Sequence, residues 1–407
     1  MISVEDALIK IIHNLVSTNL EYLSLDLCLD RILGEDIKSS FDNPISPISA
    51  MDGYAIHLNG TESLPLNFHV IGEIAAGQSF DRILLPGEAV RIFTGGHLPL
   101  GANSIIIQEN VIFNNNSIRV QQGSLKIGQH VRQQGIDFKE NQILVSKGVK
   151  LTSRHLALLA AAGYNQLPIK CKPYIGILCT GNEIVLPGLP KTKEQIYSSN
   201  HISLAHLVSI FGGIPIQLGI VEDNEKQIIS RLIHIEKLDM LVVSGGMSVG
   251  AYDLTKSAFK QNGFDLDFWK IAMRPGKPLM FGHYKNIPVL GLPGNPVSTF
   301  IGAFIFLKKA IYTLLGQTTP LCHTILQAYL VGNLPANDQR QDYLRAHMKI
   351  LKNLEKPGLW VEPFILQDSS VLSNLAEANA LIVRTPFAPA LTHGSIVETL
   401  IIENHGF

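Results

Sequence analysis

The stretch PYIGILCTGNE, Pro173 to Glu183, decides how the rest of the chain is read. PYIGILC is a short, nearly continuous apolar run of the kind a parallel sheet buries on both faces. TGNE interrupts it with a hydroxyl, a glycine, an amide and a carboxylate. Downstream the pattern repeats. SLAHLVSIF (203–211) has helical spacing and closes at Gly212-Gly213. IPIQLGIV (214–221) is the next strand and EKQIISRLIHI (225–235) the next helix. MLVVS (240–244) reads as strand, DLTKSAFKQNG (253–263) as helix, IPVLGL (287–292) as strand, and 297–315 as a last helix. This alternation predicts a doubly wound α/β domain over about 171–320.

Ligands of open α/β sheets bind outside the carboxyl ends of the strands, so the residues after each strand carry the information. They are Thr180-Gly181-Asn182-Glu183, Glu222-Asp223-Asn224, Gly245-Gly246 through Ser248, Gly250 and Asp253, and Pro293-Gly294-Asn295-Pro296-Val297-Ser298. Glycines let backbone N–H groups approach an anion, and helix N-termini add partial positive charge. Ser244-Gly245-Gly246 therefore reads as a cradle for a phosphate or oxyanion. One such loop is most simply a tight turn; several at one sheet edge point to a ligand. Arg274-Pro275-Gly276-Lys277-Pro278 sets two cations on a restricted turn, suited to anionic groups. Glu183, Asp223 and Asp253 are grouped carboxylates that could hold Mg²⁺ against phosphate or supply a general base. Asp253 alone could equally cap its helix. No GxGxxG opens a helix after a strand, and no GxxxxGK[ST] occurs, which removes nicotinamide-type and P-loop folds.

Outward from this region the pattern changes. Residues 1 to about 40 read helical, with Ser3 and Asp6 as a capping box, and 150–165 read helical again, ending at Gly163. The expected discontinuous helical domain takes in 1–40 and 138–170, its two helices packed together. Residues 41–137 are short β-like runs punctuated by Gly and Pro, with a hairpin turn at Asn114-Asn115-Asn116. SAMDGYA with Asp52, RIFTGG with Thr94, and Gly135-Ile136-Asp137 stand out there, though each can also be a plain turn. Residues 321–407 read as a small β-barrel or sandwich.

Net charge is −1, with 16% charged and 46% hydrophobic residues. That allows large cores and gives no basic excess for nucleic acid or an anionic membrane. Cys28, Cys171, Cys179 and Cys322 are dispersed, which speaks against a disulfide framework or zinc knuckle and for a reducing compartment. The first charges are Glu5 and Asp6, unlike a secretory signal. The longest apolar run, Val297 to Leu307, is shorter than the ~20 residues that span a bilayer. A cytoplasmic protein is expected. The 14 histidines show no HExxH.

SAMDGYA, RIFTGG, SGGMSVGAYD, RPGKP and GLPGNPVS, in this order and over the whole chain, resemble the MoeA-type molybdopterin molybdenumtransferases. The resemblance implies a multidomain α/β plus β protein. A MogA-like α/β molybdopterin-binding domain (171–320) would join a helical domain, a β-rich domain (41–137) and a C-terminal β-barrel-like domain (321–407), in an elongated homodimer. It implies a transferase that takes adenylylated molybdopterin and molybdate, releases AMP and forms the molybdenum cofactor with Mg²⁺. A MogA-type adenylyltransferase would act upstream, and apo-molybdoenzymes or their chaperones downstream. By motif, Glu183, Asp223 and Asp253 form the acidic core, with Glu183 and Asp253 as metal ligands. Asp52, Thr94 and Asp137 join it from the partner subunit. Thr180, Gly181, Ser244, Gly245, Gly246, Ser248, Gly250, Arg274, Lys277 and Pro293, Gly294, Asn295, Pro296 and Ser298 contact the cofactor. Three positions depart from the pattern: Asn182 replaces a commoner Asp, Arg274 a Lys, and Asp368 a Gly. The alternatives are an adenylyltransferase, which the extra domains oppose, and a non-catalytic molybdopterin-binding scaffold.

Overall fold

The structure is a computed structural model, and it describes residues 1–60, 64–123, 125–232, 235–246, 263–318, 325–351 and 357–402. Its centre is a six-stranded sheet. The strand order is Ile214–Val221, Tyr174–Thr180, Met240–Ser244, Ile287–Leu292, Met280–Tyr284, Phe264–Trp269. The first four are parallel. Alternate residues of each strand enter different cores. Ile175, Ile177, Met240, Val242, Leu290 and Leu292 face one. Leu178, Leu241, Val243 and Val289 face the other. Burial on both faces is why these segments are apolar without alternation. Helices Asn200–Ile210 and Pro296–Gly302, continued by Ala303–Leu307 and Lys308–Leu314, cover the first face. Glu225–Arg231 brings Ile228 to the second. The 19 residues Pro296–Leu314 are long and apolar enough to cross a membrane, but their window is 72% buried inside the fold. The sequence pattern missed Phe264–Trp269 and Met280–Tyr284. The latter forms a hairpin with Ile287–Leu292 through Lys285-Asn286, both at positive φ, a two-residue turn of the type that favours such conformations. The helix expected over 253–263 lies outside the described residues, but for its last residue, Gly263.

The chain before the sheet departs from expectation in two ways. Helix Val4–His13 does start at Ser3, whose Oγ accepts the Asp6 N–H at 3.0 Å. The chain then leaves the helix. Residues 20–24 form a strand antiparallel to Gln166–Lys170, and 37–38 pair with 143–145. LEYLS finds a ladder partner, so tertiary pairing overrides the helical spacing. Nor does the first helix pack on the second helix, Ser153–Ala161. Its buried stripe Val4, Ala7, Ile11 joins the core of the central sheet. Leu159 of the second helix lies in a separate cluster with Cys28, Leu33 and Leu167. The β-rich segment forms a six-stranded sheet ordered Ser104–Ile107, Gly53–Ile56, Glu88–Ile92, Leu66–Ile74, Ser117–Val120, Val111–Asn114. The hairpin read from the three asparagines is present, turning at Asn115 and Asn116.

In the C-terminal region the strands run Gln341–Leu351, Gly358–Pro363, Ile325–Leu330, Ile396–Ile401, Ala380–Arg384. The last pairs back with the first. This is a closed five-stranded barrel, the solution that leaves no edges. A short strand, Met273–Arg274, adds to it from the central domain, with Arg274 opposite Asp342.

Candidate functional site

The strand order places one reversal of direction between Tyr174–Thr180 and Met240–Ser244. The chain first adds Ile214–Val221 on one side and then Met240–Ser244 on the other. Crevices open at such switch points, outside the carboxyl ends. Here the ends of the two strands touch. A Cβ on Gly245 would stand 2.1 Å from the Thr180 carbonyl oxygen, and Gly245 has φ +99°. Only glycine satisfies both demands. Gly246 follows at φ +63° and Gly181 is buried.

Buried hydrogen bonds hold the strand-end loops to one another. The Asn200 amide, 8% exposed, donates to Ser244 Oγ at 2.9 Å and to the Gly294 carbonyl at 2.7 Å. Ser244 Oγ donates to the Pro293 carbonyl at 3.2 Å, and Thr299 Oγ1 donates to the same oxygen at 2.5 Å. Gly245 N–H donates to Leu292 at 3.2 Å, and Gly181 N–H to Val221 at 3.1 Å. Asn182 Oδ1 accepts the Asp223 N–H at 3.0 Å, so the Asn joins the first loop to the second as an Asp would. Among the described residues, two polar atoms remain buried without a partner at this edge, Thr180 Oγ1 and Asp223 Oδ1. Glu183 is exposed beside Gly181. Pro296 starts the helix behind the fourth loop, and Ser298 is buried within it. The barrel reaches this edge too: Asn295 Nδ2 donates to Ser369 Oγ at 2.7 Å, and Val297 N–H to the Ser369 carbonyl at 3.1 Å. Ser248, Gly250 and Asp253 lie outside the described residues. Among those described, no group of three or more His, Cys, Asp or Glu could hold a metal.

Asp52 and Thr94 form a second focus. Asp52 Oδ1 accepts both the Thr94 N–H and its hydroxyl, each at 2.8 Å. The backbone N–H first, then the hydroxyl, hold the Asp52 carboxyl below the ordinary carboxylate range. Asp137 Oδ2 accepts from Asn43 Nδ2 at 3.1 Å. No hydrogen bond or ion pair among the described residues links Asp52, Thr94 or Asp137 to the strand-end loops of the same chain.

The RPGKP turn divides its cations. Arg274 is paired to Asp342 and, at 3.5 Å, to Asp338, and it donates to Asn337. These contacts commit it to the barrel. Lys277 is exposed beyond Gly276. Asp368 is explained locally: its Oδ1 accepts Ser370 N–H and Oγ at 2.8 and 2.6 Å, shaping the loop that carries Ser369.

Sequence reasoning missed Asn200, Thr299 and Ser369. Asn200 precedes the segment read as helical, 203–211. Nothing local marks it as a bridge between loops 44 and 94 residues away.

Comparison with known proteins agrees with this layout. Residues 2–163 match the family described as the MoeA N-terminal region (domain I and II). Residues 176–312 match the probable molybdopterin binding domain, and 327–402 the MoeA C-terminal region (domain IV). A molybdopterin molybdenumtransferase of Haemophilus influenzae is 33% identical over 94% of this chain and 94% of its own. One of Bacillus subtilis is 31% identical over 98% and 94%. The crystal structure of a molybdopterin biosynthesis MoeA protein from Pyrococcus horikosii superposes with a TM-score of 0.83 at 29% identity, covering all of both chains.

Proposed function

The chain belongs to the MoeA-type molybdopterin molybdenumtransferase family, and on that premise we propose that it inserts molybdate into adenylylated molybdopterin, releasing AMP and forming the molybdenum cofactor. The observation that carries this is the contact of Gly245 with Thr180 at the switch point, which brings two glycine-bearing loops together where an elongated substrate can lie against backbone with no side chain in the way.

The residues divide the work by position. Gly181, Gly245 and Gly246 permit close approach of phosphate oxygens. The helix N-terminus at Pro296 adds a favourable partial charge next to Asn295. Lys277 supplies a mobile positive charge. Molybdate is an oxyanion and is recognised by the same donors, while its final ligands are the substrate's own sulfurs. AMP leaves as water cleaves the pyrophosphate-like linkage.

The donors present fit Mg²⁺. This hard ion takes one or two carboxylates together with substrate phosphates. Asp223 Oδ1, buried and unpartnered among the described residues, is such a donor. Glu183, Asp223 and Asp253 would hold the ion, which would neutralise charge on the linkage. The site is completed in a homodimer, with Asp52, Thr94 and Asp137 supplied by the partner. Ile45, Met51 and Ile136 support this, being 62%, 43% and 63% exposed around those residues in the sequence. The reaction belongs in the cytoplasm, after a MogA-type adenylyltransferase and before apo-molybdoenzymes or their chaperones.

The test is AMP release from adenylylated molybdopterin by purified protein with Mg²⁺, with and without molybdate. Molybdate-dependent release is expected. Retention of folded protein and bound substrate with no release in either condition would refute the proposal. Consumption of ATP in place of the adenylylated substrate would assign the chain to the adenylyltransferases.

A further inference from the structure

A cavity of about 250 Å³ opens at the amino edge of the central sheet, where the N-terminal region meets it. Asp30, Arg31 and Lys150 line it from that region, and Lys172 from the residues just before strand Tyr174–Thr180. Phe211 and Tyr312 line it from the carboxyl ends of helices Asn200–Ile210 and Lys308–Leu314. The strand-end loops lie at the other end of the first of these helices. Asn200, which bridges them, starts the helix that Phe211 caps. At 1.5 Å rise per residue the two are about 16 Å apart.

Cations are in excess here. Lys150 Nζ meets Asp30 at 2.9 Å, but their side chains are 49% and 69% exposed, so water screens the pair. Arg31 spends Nη2 on Glu21 at 2.5 Å and on the Lys170 carbonyl at 2.8 Å. Lys172 is exposed and has no ion pair among the described residues. A fourth cation stands behind the wall. Lys308 Nζ lies 5.9 Å from the ring centres of Phe211 and Tyr312 and 4.7 Å from that of Phe304. Burial first, then the charge of Lys150, hold the Lys308 ammonium below its ordinary pKa, so the two lysines repel. Each helix end brings about half a negative charge. Together with Asp30 and Glu21 these ends offset about three of the four cations, and Lys172 is left over. The groups that converge on the space are donors: two ammonium groups, a guanidinium and the Tyr312 hydroxyl. An occupant that only accepts matches them. The volume falls below the ~300–1,000 Å³ of pockets for drug-sized ligands, which restricts the occupant to a small ion.

We propose that this cavity is an anion site, separate from the strand ends, for a small oxyanion of the inorganic phosphate class. The oxyanion accepts from Lys150, Lys172 and the Tyr312 hydroxyl through charge-assisted and neutral hydrogen bonds. Its charge relieves the repulsion between Lys150 and Lys308. Bound there, it ties the N-terminal region to two helices of the central domain.

The test is lysine footprinting of the full-length protein near neutral pH, titrated with inorganic phosphate. An amine-reactive ester labels the lysines, and mass spectrometry reads the rate at each one. Sodium chloride at equal ionic strength is the reference, which removes plain screening. A bound oxyanion shields the ammonium groups and raises their pKa values, so labelling of Lys150 and Lys172 should slow saturably, about threefold to tenfold. Exposed Lys126, in the β-rich segment, should keep its rate. Lys172→Gln alters an exposed side chain with no described ion pair, so it should fold as the parent does and lose the protection of Lys150. No saturable slowing, slowing equal to that of Lys126, or undiminished protection of Lys150 in Lys172→Gln overturns the site. Protection confined to Lys277 puts phosphate at the strand ends alone and overturns it equally.

Discussion

Replacement of Asn200 probes whether the strand-end loops work as one unit. In Asn200→Ala both amide hydrogen bonds vanish, to Ser244 Oγ and to the Gly294 carbonyl. Each contributes about 1 kcal/mol net, and the Gly294 oxygen left without its donor adds roughly 1 kcal/mol more. The expected loss is about 2–3 kcal/mol, a fall in Tm of about 5–10 °C for unfolding of the central domain. Activity should fall further than stability, because a shift of about 1 Å between the SGG and PGNP loops costs on the order of 10²-fold in rate. Asn200→Asp separates the two effects. Its carboxylate would face an oxygen of Ser244 and another of Gly294, so burial and repulsion raise its pKa. The protonated acid can still donate one hydrogen bond, and the carboxylate can donate none. Its rate deficit therefore grows as pH rises through that raised pKa, whereas the deficit of the Ala variant keeps the pH dependence of the parent. The assay is the initial rate of molybdate-dependent AMP release across pH, with thermal denaturation alongside. An Ala variant with parental Tm and rate, or an Asp variant whose pH profile matches that of the Ala variant, refutes the reasoning.

Three further outcomes are expected. Gly245→Ala forces a Cβ to 2.1 Å from the Thr180 carbonyl at φ +99°; about 1–2 kcal/mol of backbone strain precedes the clash, and AMP release should drop at least tenfold, so a parental rate would contradict the close approach. Thr94→Val removes one of the two donors that hold Asp52 below the ordinary range. The stabilisation from that carboxylate is present above its unfolded pKa and is lost as pH falls through the lowered folded value, so the Asp52 midpoint measured by NMR should move up toward the ordinary value, and an unmoved midpoint contradicts the pairing. Burial pushes the Cys179 thiol up to about 12, so a thiol reagent at pH 8 should label it far more slowly than the half-buried Cys171, and equal rates would show that the strand end is open.

The α/β domain was legible because strands buried on both faces leave a compositional mark. Ile177 and Leu178 enter different cores one residue apart, so PYIGILC could hardly be anything else. The antiparallel strands Phe264–Trp269 and Met280–Tyr284 carry polar residues such as Asp265 and His283, and their runs are correspondingly weak. The segment 20–24 was misread for another reason. Its partner at 166–170 is some 146 residues away in sequence, from Leu20 to Gln166, and helical spacing over a few residues cannot report a ladder made at that distance. The candidate site divides along the same line. Glycines and carboxylates after strands were visible as residue types at an edge set by topology. Asn200 and Ser369 act through partners remote in sequence, and a lone Asn or Ser has no pattern to betray it.

The RPGKP turn shows what residue type alone leaves open. Two cations three residues apart on a restricted turn read as suited to anionic groups. The backbone separates them, because Met273–Arg274 continues the barrel as a strand beside Gln341 and Asp342, while Lys277 lies past the bend at Gly276, φ +109°. A guanidinium already paired with Asp342 and Asp338 has much of its attraction for a further anion cancelled by those carboxylates. On the proposed function, the charge this turn leaves for an anion is that of Lys277. The backbone ladder at Arg274 becomes a strut between the two regions. Ser369 against Asn295 is a second strut, at the PGNP loop. Two struts fix the barrel relative to the sheet edge where one would leave a hinge, and the barrel wall becomes a surface against which a substrate can be positioned.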